Sequence, residues 1–320
     1  MGDVTFVWLE VTGKCQLRCT HCYAESGPSG THGTMDTVDW LRVIDQAVGL
    51  GVTTVQFIGG EPTLHPRLKS LVEHSLRQGM SVEVFSNLVH ITDDLWEVLS
   101  QPGVSLATSY YSDQPEQHAA ITGRSSYART KGNITKAIRR GIPLRAGVID
   151  LGAGQRADHA QKELNDLGVF SVGYDLLRQV GRGVRDQQAS AEQLCGHCAD
   201  GVAAISPDGV VWPCVFARWL PIGNVLEDDL ADILASPEAD RVRSELGRTF
   251  ASGNPAQWEG LGEKCHPDCS PTCDPCNPRC NPGCQPYCAP SPCQPKCSPS
   301  CSPTCNPISC KPNACWPPFQ

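Results

Sequence analysis

Apolar positions along the first 188 residues alternate between short β-branched runs and runs with helical spacing. Each β-branched run predicts a buried strand, and each helical spacing predicts an amphipathic helix behind it. The predicted strands are Val4–Thr12, Thr54–Ile58, Ser81–Phe85, Val104–Tyr110, Pro143–Asp150 and Val169–Asp175. The predicted helices cover about 38–48, 68–79, 93–99, 127–140 and 157–167.

The first helix shows how these elements are delimited. Val38, Leu41, Ile44 and Val48 keep the three- and four-residue spacing of one helix face, and Asp36 precedes them as a capping residue. About six strand–helix units in succession imply a parallel sheet with right-handed crossovers. The expected fold is α/β, a partial (β/α)6 TIM-like barrel, and its chemistry is expected at the carboxyl ends of the strands.

From about residue 189 the pattern changes to a hairpin and one further helix. Val202–Ser206 and Val210–Trp212 flank a Pro-Asp-Gly turn, which is typical of two antiparallel strands. Leu226–Leu246 reads as a last helix. We therefore expect a core barrel in residues 1–188, a smaller domain in 189–264 and a separate tail in 265–320.

The tail has an unusual composition. Thirteen of its 56 residues are Cys and 15 are Pro, with hardly any aliphatic side chains. Such a segment buries too little apolar surface to offset its chain entropy, so an extended chain is expected without metal or cross-links. A metal store, a scaffold for clusters, a substrate-binding arm and a dispensable extension all remain open for it.

Charge and hydropathy exclude several classes of protein. The net charge of −8 disfavours general nucleic-acid binding, which needs clustered cations. No stretch approaches the roughly 18 apolar residues of a membrane span, and residues 1–10 do not resemble a secretion signal. We expect a cytoplasmic, reducing compartment, in which the 19 cysteines favour metal-bound thiolates over disulfides.

Three cysteines follow the first predicted strand at the active end of the expected barrel. Cys15, Cys19 and Cys22 have the spacing x3 and x2, and three thiolates can ligate three irons of a 4Fe–4S cluster while leaving the fourth iron open. The alternative is a zinc knuckle that adds His21 or another ligand.

A second motif follows the second predicted strand. Gly59, Gly60, Glu61 and Pro62 form a turn where backbone can approach a ligand closely, and the Glu61 carboxylate can accept a hydrogen bond from an ammonium group. The alternative is an ordinary glycine-rich turn between strand and helix.

With both motifs in this order, residues 4–183 resemble the radical SAM superfamily. The resemblance implies a 4Fe–4S cluster on the three cysteines and S-adenosylmethionine (SAM) bound with its methionine part on 59–62. It places Ser86 and Asn87 near the SAM carboxylate or ribose, and Arg178 with Gly181–Gly183 near substrate or SAM. A solvated loop or a carboxylate partner is the alternative for the arginines. The segment 109–113 departs from the family pattern, which puts ribose contacts there in doubt.

A third pattern resembles the SPASM or Twitch extension of radical SAM enzymes. Cys198-x10-Gly209-x4-Cys214 is followed by Ile222-Gly-Asn, and buried structural cysteines are the alternative reading. The resemblance implies at least one auxiliary 4Fe–4S cluster. The later cysteine block usual in the family is absent. The expected auxiliary ligands are Cys195 or Cys198, Cys214, and the first tail cysteines Cys265 and Cys269.

The resemblance implies an oxidoreductase-type enzyme that cleaves SAM reductively to a 5′-deoxyadenosyl radical and removes hydrogen from a substrate. The favoured substrate is a ribosomally made precursor peptide that is cross-linked, epimerised or oxidised. Alternatives are an epimerase or dehydrogenase of a sugar or aminocyclitol, and a non-catalytic metal-handling protein. Cys195 is a candidate hydrogen donor if it is not a ligand.

The expected partners are the precursor peptide and a flavodoxin- or ferredoxin-type electron donor, with no nucleic acid and no membrane. Because the first strand begins by Val4, we expect no appended leader-binding domain. Peptide recognition is then expected from the barrel mouth, the tail or a separate leader-recognition protein.

Overall fold

The computed structural model describes residues 4–152 and 154–251. All of these lie in one compact unit. The expectations for residues 265–320, including ligands Cys265 and Cys269, fall outside the described residues.

Nine strands in the described residues form a single sheet. In chain order they are β1 Phe6–Glu10, β2 Thr54–Ile58, β3 Ser81–Phe85, β4 Val104–Tyr110, β5 Leu144–Asp150, β6 Ser171–Leu176, β7 Val202–Ile205, β8 Val210–Trp212 and β9 Gly223–Asn224. Their spatial order is β6-β5-β4-β3-β2-β1-β7-β8-β9. Strands β1 to β6 are all parallel neighbours, which confirms the predicted partial barrel.

Eight helices accompany the described strands. They are α1 Thr37–Gly49, α2 Leu68–Arg77, α3 Asp93–Leu99, α4 Pro115–Thr122, α5 Tyr127–Arg139, α6 Ala157–Asp166, α7 Leu230–Leu234 and α8 Pro237–Ala251. Helix α1 begins where expected, because the Asp36 side chain accepts hydrogen bonds from the backbone N–H groups of Val38 and Asp39. Across the described part of the chain, each helix is too short or too polar to cross a membrane.

The hairpin after residue 189 belongs to the same sheet as the barrel. Strand β7 pairs in parallel with β1, with Phe6 opposite Val202 and Leu9 opposite Ile205. Strands β8 and β9 then continue antiparallel. Residues on both sides of position 188 therefore build one sheet, and the hairpin carries its cysteines next to the first strand.

Polar residues share one face of the parallel strands. Gln56 of β2 lies opposite Glu83 of β3, and both are buried. Arg145 of β5 donates to both Glu83 oxygens at 2.8 and 2.7 Å. A buried carboxylate needs such a partner to offset its lost hydration. The alternate positions, such as Val55 and Phe57, are fully buried and apolar, as a helix-covered face requires.

Three predictions about helices were wrong in detail. Val38 is 70% exposed, and the buried face of α1 consists of Ile44, as predicted, with Trp40, Val43 and Ala47. Helix α4 was missed. The single last helix is two, because Pro237 lacks a backbone N–H and starts a new helix, as proline does well at a first helical position.

Candidate functional site

The loop after β1 carries the first three cysteines, of which Cys15 is buried and Cys19 and Cys22 are half-buried. Burial, followed by the charge of Glu61, raises the pKa of Cys15 to about 12. Burial, followed by the neighbouring thiols Cys22 and Cys15, raises the pKa of Cys19 to about 12. The Cys15 and Cys19 thiols thus resist ionisation without a cation, and both lie close enough to the Cys22 sulfur to interact with it electrostatically. Soft metal centres bind thiolates and remove that resistance, so these donors fit an iron–sulfur cluster.

A short segment after β6 holds this loop in place. Arg182 donates from Nε to Cys19 O at 3.0 Å and from Nη2 to Ser26 O at 2.6 Å. Gly181 has φ +56°, and a Cβ built on it would lie 2.3 Å from Tyr23 O. Glycine is therefore required where this segment crosses the loop. The resemblance placed Gly181–Gly183 near substrate or SAM, and the structure shows these residues supporting the cysteine loop.

The glycine turn after β2 packs directly against the start of the cysteine loop. Gly60 N donates to Thr12 O at 2.6 Å, and Glu61 N donates to Lys14 O at 2.9 Å. A Cβ on Gly59 or Gly60 would lie 2.3 or 2.4 Å from backbone oxygens of that loop. The two motifs that are 37 residues apart in sequence, counted from Cys22 to Gly59, therefore form one site.

Glu61 is fully buried in this site. Its Oε1 accepts from Thr63 N, Thr63 Oγ1 and Ser86 Oγ at 3.1, 2.8 and 2.7 Å. Its Oε2 accepts from Asn87 N at 2.8 Å. Burial raises the pKa of Glu61, and these hydrogen bonds oppose that shift. Four donors from the chain thus fix the carboxylate at the carboxyl ends of β2 and β3, and an added ammonium group would favour its ionised form further.

Asn87 joins the glutamate to the cysteines. Besides its backbone bond to Glu61, it donates from Nδ2 to Cys15 Sγ at 3.6 Å and exchanges side-chain hydrogen bonds with Gln16. The structure therefore brings together Glu61, Ser86, Asn87 and the cysteine loop.

Tyr111 was missed by the sequence reasoning. Burial, then the charge of Cys19, raises the pKa of Tyr111, and its ring meets His21 edge-to-face at 4.9 Å. His21 Nδ1 is buried and has no hydrogen-bond partner in the described structure. An orphaned nitrogen beside the cysteines fits a site that takes a further group. A tyrosine at a strand end has no special sequence signal.

The second cysteine group lies on the hairpin segment. Cys198 Sγ and Cys214 Sγ are 2.7 Å apart, and Cys195 is hydrogen-bonded to Cys198. The hydrogen bond from Cys198, aided by the Arg178 charge, lowers the pKa of Cys195 to about 5, and the pKa of Cys198 is raised. Three adjacent sulfurs with one already favoured as thiolate fit an auxiliary cluster.

Arg178 lies at this second group. It pairs with Asp175 at 3.1 Å, donates to Gln193 O at 2.9 Å and stacks over Phe216.

In the described parts of the chain, no group of three or more His, Cys, Asp or Glu side chains has an arrangement that could hold a single metal ion.

An ion pair that the sequence did not reveal lies where β1 ends. Arg218 donates from Nη1 to both oxygens of buried Glu10 at 2.7 and 2.8 Å, and its guanidinium stacks on Trp212. Tyr23, next to Cys22, packs edge-to-face on Phe216 at 4.9 Å. Since Phe216 follows Cys214 by two residues, this contact connects the two cysteine groups.

Family comparisons agree with the two motifs. Residues 9–167 match the radical SAM superfamily, and residues 195–277 match the SPASM iron–sulfur cluster-binding domain. The SPASM match reaches Cys265 and Cys269 despite the altered cysteine spacing.

Two curated relatives come from Bacillus subtilis. The antilisterial bacteriocin subtilosin biosynthesis protein AlbA is 27% identical, over 71% of this chain and 59% of its own length. The sporulation killing factor maturation protein SkfB is 26% identical, over 70% of this chain and 63% of its own length. The chain thus spans about three fifths of the length of these relatives.

Solved structures share the fold. SuiB of Streptococcus suis bound to S-adenosylmethionine superposes with a TM-score of 0.63 at 15% identity, covering 76% of this chain and 68% of SuiB. The protein anSMEcpe with bound AdoMet and a peptide superposes with a TM-score of 0.63 at 12% identity, covering 79% of this chain and 86% of anSMEcpe. At this identity the likeness establishes the fold alone.

Proposed function

We propose that this chain, which belongs to the radical SAM superfamily and carries a SPASM-type extension, is an enzyme that cleaves SAM reductively and removes hydrogen from a peptide. The observation that carries this proposal is the meeting of the cysteine loop and the Gly59–Pro62 turn, joined through Asn87. A metal store needs no such turn, so the geometry favours catalysis.

Each part of the site then has a task. When bound, the cluster and SAM supply a 5′-deoxyadenosyl radical. Cys15, Cys19 and Cys22 hold the cluster. Gly59 and Gly60 let the turn pack against the backbone at Thr12 and Lys14, which brings the turn, our proposed site for the methionine part of SAM, beside the cysteine loop. Glu61 Oε2, which receives one hydrogen bond from the chain, accepts the SAM ammonium group.

The second cysteine group would hold an auxiliary cluster. Cys195, Cys198 and Cys214 supply three ligands, and Cys265 or Cys269 supplies a further one. The contact of Cys195 with Cys198 supports a ligand role, and the hydrogen-donor role remains the alternative for Cys195.

A peptide substrate is supported by the relatives, which are named for bacteriocin biosynthesis and for maturation of a killing factor. SuiB has also been solved with its precursor peptide SuiA. We propose the same substrate class here, in the cytoplasm, with a flavodoxin- or ferredoxin-type donor and a separate leader-recognition protein as partners.

The test is hydrogen transfer from peptide to adenosine. Short peptides encoded beside this gene, with deuterium at candidate carbons, are incubated anaerobically with reconstituted full chain, SAM and dithionite. We expect deuterated 5′-deoxyadenosine and a changed peptide mass. 5′-Deoxyadenosine without deuterium from any peptide would overturn the peptide assignment, and the absence of 5′-deoxyadenosine would overturn the enzyme assignment.

A further inference from the structure

Arginines surround the outer side of the cysteine loop. Arg18 lies within the loop, and its backbone N–H donates to Thr122 O at 2.9 Å, at the end of α4. Arg124 follows two residues later, and Gly123 between them packs against Arg18 O. This places two exposed arginines, Arg18 and Arg124, on one flank of the loop.

Two more arginines lie on the segment after β6 and also contact the loop. Arg182 donates to Cys19 O, and Arg185 Nη2 donates to Thr20 O at 3.4 Å. Arg185 and Thr20 are exposed. The surface formed by Arg18, Arg124, Arg182, Arg185 and the intervening loop is called the arginine surface below.

The charge of the arginine surface is not neutralised locally. Within the described ranges, none of the four guanidinium groups forms an ion pair, and the guanidinium groups of Arg182 and Arg185 donate hydrogen bonds to backbone oxygens.

This arrangement contrasts with the rest of the molecule. Residues 252–320 hold four acidic and four basic side chains, so the whole net charge of −8 resides in residues 1–251. Four unpaired arginines around one loop of an acidic protein form a local site for a negatively charged partner.

An apolar side chain accompanies the cations. Val184, between Arg182 and Arg185, is 42% exposed. An apolar contact within a charged rim is the usual composition of a transient protein interface.

We propose that the arginine surface docks an acidic one-electron carrier protein, flavodoxin or ferredoxin in type, that reduces the cluster on Cys15, Cys19 and Cys22. This rests on the proposed function. One electron leaves the reduced carrier and enters the cluster, and no proton or bond is exchanged. Thr20 follows Cys19 directly and is exposed, so a carrier bound to the arginine surface is separated from the proposed cluster by the backbone of the cysteine loop.

The test compares two triple charge reversals in the reconstituted full chain. Arg18→Glu/Arg124→Glu/Arg185→Glu removes the arginine surface but keeps Arg182, which supports the loop. The matched control is Arg77→Glu/Arg139→Glu/Arg140→Glu. Its arginines lie at the ends of α2 and α5, just before the amino ends of β3 and β5 and so at the opposite end of the strands. Circular dichroism and iron content verify folding, and an Arg18→Gln/Arg185→Gln variant serves if the reversal misfolds.

The probe is a purified acidic flavodoxin, and the readout is its anaerobic association rate by surface plasmon resonance. Steered association is faster than neutral encounter, so we expect an about 10- to 100-fold slower rate for the surface variant and about the wild-type rate for the control. Wild-type association should also slow between about 0.01 and about 1 M salt, as the Debye length falls from about 30 to about 3 Å.

A second readout separates this inference from the proposed function. Dithionite-driven 5′-deoxyadenosine formation should be unchanged in the surface variant, while flavodoxin-driven formation falls with association. Equal flavodoxin association of surface variant and wild type, or no association of wild type, would overturn the docking inference even if dithionite supports SAM cleavage. Absence of cleavage with dithionite in wild type would instead overturn the enzyme function.

Discussion

The backbone N–H of Asn87 donates a hydrogen bond to Glu61 Oε2 at 2.8 Å. This contact ties the carboxyl end of β3 to the turn after β2, while the Asn87 side chain reaches Cys15. The carboxylate that is proposed to bind the SAM ammonium is therefore positioned by the same residue that contacts the first cluster ligand. Changes at either residue should affect both cofactors.

Replacing Glu61 by Gln should weaken the fold and SAM binding together. A glutamine presents an N–H₂ group toward at least one of the present donors, and a buried unsatisfied donor costs about 1–3 kcal/mol. We expect a lower unfolding free energy by denaturant titration and about tenfold weaker SAM binding by equilibrium dialysis. Ser86→Ala removes one of the four hydrogen-bond donors to Glu61 and should lower the unfolding free energy and the SAM affinity less than Glu61→Gln does. Equal SAM affinity in Glu61→Gln and wild type would contradict the assigned role.

Gly181→Ala should release iron from the first site. The residue has φ +56°, and a new Cβ would lie 2.3 Å from Tyr23 O, so the cysteine loop must shift. Gly141→Ala is the matched control, because Gly141 has φ +69° with nothing near a new Cβ. Both changes strain the backbone by about 1–2 kcal/mol, but only the first should lower the iron content after reconstitution. Equal iron contents would show that this glycine does not support the loop.

Arg218→Met should destabilise the protein by about 3–5 kcal/mol at neutral pH, since it leaves the buried Glu10 carboxylate without its cation. Burial already raises the pKa of Glu10 and Arg218 opposes that shift, so the variant raises the pKa further. The loss of stability should be absent below pH 4.5, the ordinary pKa of a glutamate, because Glu10 is then protonated in the folded and the unfolded protein. It should grow as the pH rises. Glu10→Gln added to Arg218→Met should restore much of the loss. A pH-independent penalty in urea titrations would refute this explanation.

Thiol reactivity in the metal-free protein should differ between the two cysteine groups. The pKa of Cys195 is lowered to about 5, and those of Cys15 and Cys19 are raised to about 12. Because the thiolate is the nucleophile, iodoacetamide at pH 7 should label Cys195 first, as read by mass spectrometry of tryptic peptides. Raising the pH should accelerate labelling of Cys15 and Cys19 up to about 12 with little effect on Cys195. If iodoacetamide labelled Cys15 faster than Cys195 at pH 7, the assigned pKa difference between the two cysteine groups would be wrong.

Local sequence signals predicted the barrel well, because its strands are adjacent in chain order and each has its own apolar run. Strands β2, β3 and β4 begin and end at the predicted residues. The parallel pairing of β7 with β1 could not be predicted, since it joins residues nearly 200 positions apart through backbone hydrogen bonds that leave no local pattern.

The site shows the same division. Cysteine spacing and the glycine turn drew attention to the two motifs, Cys15–Cys22 and Gly59–Pro62, that lie side by side in the structure. The surroundings of Arg178 and Arg218 depend on which strands are neighbours, so the ion pairs with Asp175 and Glu10 could not be read from spacing. Val38 shows the converse error, because it fits the apolar period of α1 and yet is exposed, while Ile44 of the same period is buried.

The most direct test of the account is anaerobic reconstitution of the full chain beside the Cys15→Ala/Cys19→Ala/Cys22→Ala variant. Iron and 5′-deoxyadenosine are then measured with SAM and dithionite. We expect the variant to bind about four fewer irons than wild type and to make no 5′-deoxyadenosine. SAM cleavage that persists in the variant would contradict the assignment of the cluster to these three cysteines.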